Sequence, residues 1–165
     1  MGIDLKNWMQ NLPDGSDLLA LNLCGTHDCV TQHIRLPHFF CCQDLTIYEQ
    51  LLLGVRALDI RVRADGKCLT MVHGIFPAYN HSCHRANLMD MGDVLSQCYR
   101  FLDECPGEAV VFQFKNDNGK ENEQCFDNLF YTYIKGKEPY WYLEDRVPTL
   151  DAARGKLVLI RRCKM

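Results

Sequence analysis

The sequence predicts an α/β fold built on a buried parallel sheet. Short, nearly continuous apolar runs alternate with segments of helical period, and Gly, Pro and capping residues punctuate the helices. Three of the apolar runs also carry chemistry-bearing polar residues at or near their ends. Strands apolar on both faces suit a parallel sheet covered by helices, and such a sheet gathers its ligand site at the carboxyl ends of its strands.

Residues 18–24 (LLALNLC) are an apolar run that stops at Gly25, read as a strand buried on both faces. Residues 46–53 (TIYEQLLL) read as a helix, with Thr46 and Glu49 spaced as a capping box and Gly54 as its stop. Residues 55–62 and 69–72 are the second and third strands, joined through Ala64-Asp65-Gly66, where the Asp-Gly pair marks a turn. Residues 91–102 place Val94, Leu95, Cys98, Phe101 and Leu102 on one helical face, and Pro106-Gly107 ends that helix. Residues 109–114 (AVVFQF) form the next strand, 121–133 a helix, 150–153 a helical turn and 156–160 (KLVLI) the fifth strand. Neither an internal repeat nor a low-complexity linker interrupts the order.

With 47% hydrophobic and 24% charged residues, the 165-residue chain is expected to be one globular domain spanning 1–165, and disorder, collagen and coiled coil are excluded. Eighteen Lys plus Arg against 21 Asp plus Glu leave a net charge of -3, too weak a field of the wrong sign to hold nucleic acid. Ten cysteines in 165 residues fall below the roughly 8–10% of a disulfide scaffold, and no C-x-x-C pair supports a zinc ribbon or a dithiol redox site. The N-terminal residues contain no signal-peptide pattern, so a cytoplasmic location is expected, or secretion if a signal has been removed. Gly2 suggests myristoylation, but Lys6 stands where that motif needs Ser or Thr. No run reaches membrane-spanning length, so any membrane contact is peripheral.

The candidate site lies in three places: Gly25-Thr26-His27-Asp28 after the first strand, Asp59 and Arg61 within the second, and His73-Gly74 after the third. Two histidines that titrate near neutral pH can take a proton from an attacking hydroxyl and give one to a leaving oxygen. An arginine fork beside them neutralises a phosphate's developing charge. Singly, each residue also has a structural reading, a satisfied strand-end histidine or an Asp59–Arg61 ion pair. Asp59 and Arg61 are two apart, so they share one face of the sheet, where burying both for structure alone is costly. His81-Ser82-Cys83-His84 holds soft ligands but lacks a second pair, and reads as a loop. Leu36-Pro37-His38-Phe39-Phe40 and Ile75-Phe76-Pro77-Ala78-Tyr79 are candidate apolar rims for a lipid surface, or ordinary loop packing.

A resemblance rests on the ordered set Gly25-Thr26-His27-Asp28, Cys42-Gln43 to Gln50-Leu51, Gly54-Val55-Arg56-Ala57-Leu58-Asp59-Ile60-Arg61, Val72-His73-Gly74, Pro106-Gly107-Glu108-Ala109-Val110-Val111 and Ala153-Arg154-Gly155-Lys156-Leu157-Val158. In order and spacing it is similar to bacterial-type phosphatidylinositol-specific phospholipase C, over nearly the whole chain. The resemblance implies a distorted TIM-type (β/α) barrel that cleaves phosphatidylinositol, or its glycosylated form, at a membrane surface into diacylglycerol and inositol 1,2-cyclic phosphate. It implies His27 as general base, His73 as general acid assisted by Asp28, Arg61 as phosphate clamp oriented by Asp59, and Lys115 and Arg162 as inositol-binding residues. The calcium-dependent relatives place oxygen ligands after the first histidine and at two alternate positions of the second strand. Here Arg61 occupies the second of these, so no metal and no other cofactor is expected.

A closed eight-stranded barrel takes about 250 residues, so five strands imply a barrel truncated after about two-thirds of its scaffold. The aspartate that pairs with the general base then falls in the missing part, and no residue of this chain is assigned to it. The expected alternatives are a fragment lacking its C-terminal segment, a truncated reading frame, or half of a homo-oligomer that closes the barrel in trans. The competing functional readings are a weak or inactive homologue that binds inositol phosphate head groups or anionic membrane, and a metal-dependent cyclic-phosphate or glycerophosphodiester hydrolase on the same barrel type.

Overall fold

The computed structural model describes residues 4–81, 87–117 and 123–162. Its frame is one mixed, open sheet of seven strands in the order β4-β3-β2-β5-β7-β6, with β1 pairing separately with β2. Strand β2 (Ala57–Asp65) runs parallel to β1 (Gly25–Thr26) and β5 (Val110–Asn116), and β7 (Leu157–Arg161) runs parallel to β5 and to β6 (Trp141–Tyr142). Strands β3 (Cys68–His73) and β4 (Phe76–Pro77) are antiparallel, so the sheet is not purely parallel as the apolar runs suggest. The cause is the turn at Gly66, whose φ of +64° lets Asp65 pair directly with Cys68.

Residues 18–24 are not a strand. Leu18–Ala20 is a 3-10 turn, and only Gly25–Thr26 joins the ladder. Leu18 packs instead with Met9, Tyr142, Leu150 and Val158 below the sheet, so the run is apolar because it caps the core. Three two-residue strands, β1, β4 and β6, escape a reading by periodicity because two residues cannot show one.

Alternation along the strands decides what faces where. Leu58, Ile60 and Val62 of β2 and Val110, Phe112 and Phe114 of β5 point outward into the main core. There they meet Ile47 and Leu51 of α2 (Ile47–Leu52), the stripe Val94, Leu95, Cys98, Phe101 and Leu102 of α3 (Met91–Glu104), and Phe126, Phe130 and Ile134 of α4 (Glu123–Ile134). Helix α2 begins with the expected capping box, Thr46 bonding the Glu49 amide and Glu49 the Thr46 amide, and ends at Gly54, φ +96°. Asp90 and Asp93 form the same reciprocal pair at the start of α3. The short helices α1 (Pro37–Phe40) and α5 (Leu150–Ala153) lie between strands.

One buried ion pair ties the N-terminal segment to the sheet. Arg56 and Glu108 are both fully buried; Arg56 Nε and Nη2 donate to Glu108 Oε2 at 2.9 and 2.7 Å, and Nη1 donates to the Leu51 and Val55 carbonyls. Glu108 also accepts the Met9 and Gln10 amides at 3.0 Å. Both residues belong to the motifs that carried the resemblance, and both serve the scaffold.

The inner face of the sheet carries no covering helix among the described residues. Its lower part is apolar, and Leu21, Leu23, Ala57, Val111 and Val158 line an open cleft of about 630 Å³. No described helix is long and apolar enough to cross a membrane. Met1 and Gly2, Ser82, Cys83 and His84 of the proposed loop cluster, and the first residues of the expected 121–133 helix lie outside the described residues.

Candidate active site

The upper part of the same inner face is polar. Asp59 and Arg61 both point there, as the two-residue spacing requires, and the parallel register sets Gln113 beside Asp59 and Lys115 beside Arg61. His27 and Asp28 arrive from the end of β1. A Cβ at Gly25 would meet the Ala57 Cβ at 3.2 Å and the Ala57 carbonyl at 3.3 Å, so the missing side chain lets β1 seat against β2. Asp28 adopts a φ of +45°, a left-handed conformation that Asp tolerates better than most residues and that turns its carboxylate inward. The β2–β3 hairpin returns the chain so that His73 ends beside this group.

The groups converge on two carboxylates. Asp59 Oδ2 lies 3.1 Å from His27 Nδ1 and accepts from Arg61 Nε at 3.1 Å, while Asp59 Oδ1 accepts from Gln113 at 3.0 Å. Arg61 Nη2 lies 3.1 Å from the same Oδ2 and 3.2 Å from His27 Nδ1. Asp28 is fully buried: its Oδ1 is 3.1 Å from Arg61 Nε, and its Oδ2 is 3.4 Å from His27 Nε2 and 3.5 Å from His73 Nε2. A carbonyl can only accept, so His73 Nδ1, 3.1 Å from the Phe40 carbonyl, carries the hydrogen and leaves Nε2 for chemistry. The Asp59 carboxylate and the Arg61 guanidinium both face His27 Nδ1, at 3.1 and 3.2 Å, the first favouring a hydrogen there and the second a lone pair. The two rings stand 6.5 Å apart, edge to face.

Thus His27, Asp28, Asp59, Arg61 and His73 form one cluster, and Lys115 joins it through a residue the sequence reading passed over. Asp117 pairs with Lys115, accepts the Gly74 amide at 2.8 Å and lies 4.0 Å from Arg61 Nη1. Its signal was the same alternation, two residues beyond Lys115 and four beyond Gln113. Arg162 follows β7, exposed, and its backbone N–H bonds the Phe114 carbonyl; its side chain makes none of the cluster's bonds. The expectation assigned no residue of this chain to the aspartate that pairs with the general base; β2 places Asp59 Oδ2 3.1 Å from His27 Nδ1.

Burial pushes the Asp28 carboxyl up, and Arg61 and the two histidines only partly reverse this, so it stays above the usual carboxylate range. Burial also pushes Asp59 up, but the bonds from Arg61 and Gln113 outweigh it and hold Asp59 below its usual value. Asp117 follows Asp59, its burial outweighed by Lys115 and the Gly74 amide. A carboxyl whose folded pKa is raised favours the fold below its unfolded pKa, about 4, and that contribution is lost as pH rises through the folded value. Asp28→Asn is therefore expected to raise Tm at pH 7, by an amount that shrinks toward pH 4, in calorimetric scans of both proteins across that range. An unchanged or lowered Tm at pH 7 would contradict the assignment of Asp28 as a strained, costly charge.

No protein-family model matches the chain. It is 27% identical over 169 residues to 1-phosphatidylinositol phosphodiesterase of Listeria monocytogenes, covering 96% of this chain and 49% of that protein. It is 28% identical over 166 residues to the enzyme of the same name from Staphylococcus aureus, covering 95% and 51%. The solved structure of phosphatidylinositol-specific phospholipase C from Listeria monocytogenes superposes with a TM-score of 0.80 over 97% of this chain and 57% of that one. The chain spans about half the length of the curated relatives it matches. In sequence and in fold, over nearly all of its own length, this chain is similar to about half the length of these bacterial phosphatidylinositol-specific phospholipases C.

Proposed function

We propose that the chain cleaves phosphatidylinositol by intramolecular attack of the inositol 2-hydroxyl on its own phosphodiester. The observation that carries this is the placing of two imidazole Nε2 atoms about one buried carboxylate oxygen, at 3.4 and 3.5 Å, with a guanidinium alongside. A base, an acid and a phosphate clamp are the parts this reaction needs.

His27 Nε2 takes the proton of the 2-hydroxyl as its oxygen forms a bond to phosphorus. Asp59, on Nδ1, holds the ring and stabilises the imidazolium. Arg61 balances the charge that builds on the phosphate oxygens, and Asp28, Asp59 and Asp117 fix its orientation. His73 Nε2 gives its proton to the diacylglycerol oxygen as that bond to phosphorus breaks, with Asp28 supporting its protonated form. The products are diacylglycerol and inositol 1,2-cyclic phosphate, and no step is assigned to a metal. Lys115, held by Asp117, and Arg162 are assigned to the inositol hydroxyls.

The lipid would arrive over an apolar rim. Leu36, Phe39 and Ile75 are 55%, 80% and 69% exposed, and Phe40 packs at 4.4 Å on Phe76 and at 5.6 Å on His73. Exposed apolar groups next to a polar site suit peripheral insertion into a bilayer surface.

The test is incubation with phosphatidylinositol vesicles in EDTA, followed by phosphorus NMR. Release of inositol 1,2-cyclic phosphate is expected. Vesicle binding without turnover at high protein concentration would replace this reading with head-group binding.

A further inference from the structure

We propose that His27, Asp28 and Cys42 form a binding site for a soft divalent cation such as Zn²⁺, set across the mouth of the catalytic cluster. One ligand atom from each of the three lies within 4.8 Å of the others. Tetrahedral zinc, with Zn–N near 2.0–2.1 Å and Zn–S near 2.3 Å, needs donors about 3.3–3.7 Å apart. His27 Nε2 and Asp28 Oδ2 already stand 3.4 Å apart, so the closure required is on the side of Cys42.

Two of the donors are already placed, while the Cys42 thiol, its pKa pushed up by burial and by Asp28, gives up its proton only on binding the ion. Both Asp28 oxygens are buried and accept no hydrogen bond, so the carboxylate is aimed into the site with coordination capacity unused. His27 turns Nε2 toward Asp28 Oδ2 while Nδ1 meets Asp59 and Arg61, so a carboxylate backs the ring on the side away from the ion's place, as in carboxylate–histidine–metal triads. Adjacent Cys41 and Cys42 separate: Cys41 bonds the Gln43 carbonyl and Asp44, whereas Cys42 Sγ donates to the Phe40 carbonyl at 3.8 Å and lies 3.9 Å from His73 Nδ1. His73 Nδ1 is committed to the Phe40 carbonyl, leaving its Nε2 3.5 Å from Asp28 Oδ2.

Charge and softness select the ion. Asp28, Asp59 and Asp117 stand against Arg61 and Lys115, so the cluster carries one net negative charge, and a Cys42 thiolate makes it two. Thiolate and imidazole favour Zn²⁺ over Ca²⁺ or Mg²⁺, which take oxygen ligands. Binding exchanges the Cys42 S–H proton for an S–metal bond and releases that proton to solvent. Because the ion takes His27 Nε2, it blocks the group assigned as base. The resulting inhibition rests on the proposed cleavage, but occupancy of the site does not.

Co²⁺, as a spectroscopic stand-in, titrated into the reduced chain measures occupancy without any turnover. One ion per chain and a thiolate-to-cobalt absorption band are expected, with Cys42→Ser losing the band and binding at least about tenfold more weakly. An undiminished band in Cys42→Ser, or no stoichiometric binding by the wild-type chain, would overturn the site. Alkylation mapped by mass spectrometry needs no variant: saturating Zn²⁺ should slow modification of Cys42 at least about tenfold, and an unchanged rate would equally overturn it. If Co²⁺ binds as expected while phosphatidylinositol is not cleaved, the metal site stands and the cleavage reading falls.

Discussion

His27→Ala is expected to lower cyclic-phosphate release from phosphatidylinositol by about a hundred- to ten-thousand-fold, the range a positioned general base contributes. The substitution removes the group that accepts the 2-hydroxyl proton and leaves the rest of the site in place, because Asp59 keeps Arg61 and Gln113 and Asp28 keeps Arg61. His27 is mostly exposed, so the fold should lose within about 0.5 kcal/mol. Vesicle binding should persist, since the apolar rim and Arg61 are untouched. A variant that kept wild-type turnover would remove His27 from the mechanism. Asp59→Asn should act in the same direction by removing the carboxylate beside His27 Nδ1, lowering kcat while vesicle binding persists.

Glu108→Gln is expected to destabilise the chain by about 3–5 kcal/mol, because the amide cannot neutralise the buried Arg56 guanidinium. Glu108 oxygens also accept two backbone amides, Met9 and Gln10, which lose a charged acceptor. Against a typical total of about 5–15 kcal/mol this is a large fraction, and for a chain of this size it corresponds to a fall in Tm of roughly 6–20 °C. Urea and thermal melts of wild type and variant measure it directly. Because the penalty comes from the unpaired charge, replacing both partners together, as Arg56→Met with Glu108→Leu, should recover part of the loss. A double variant no more stable than Glu108→Gln would place the cost in the lost backbone bonds.

Local signals were legible where the responsible residues are near in sequence. The Thr46–Glu49 capping box, the stop at Gly54 and the α3 stripe from Val94 to Leu102 all depend on contacts within a few residues, and all are present in the structure. Residues 18–24 failed because apolar content does not report hydrogen bonding: Leu18 is buried against the second cluster, Leu21 and Leu23 pack partly against it, and none of them joins a ladder. The strands β4 and β6 were invisible because pairing partners make a two-residue strand.

The same division runs through the site. By itself the sequence set expectations for the α/β class and the helical faces, and alternation put Asp59 and Arg61 on one face of the sheet; Lys115 and the roles of the site residues came only through the family resemblance. Only the tertiary structure decided that Asp59 meets His27, that Asp117 links Lys115 to the Gly74 amide near Arg61, that Arg56 and Glu108 belong to the scaffold, and that Cys42 faces the site while Cys41 turns away. Those facts depend on strand register and on a hairpin that reverses direction. They join residues up to 56 positions apart, a separation that no local pattern encodes.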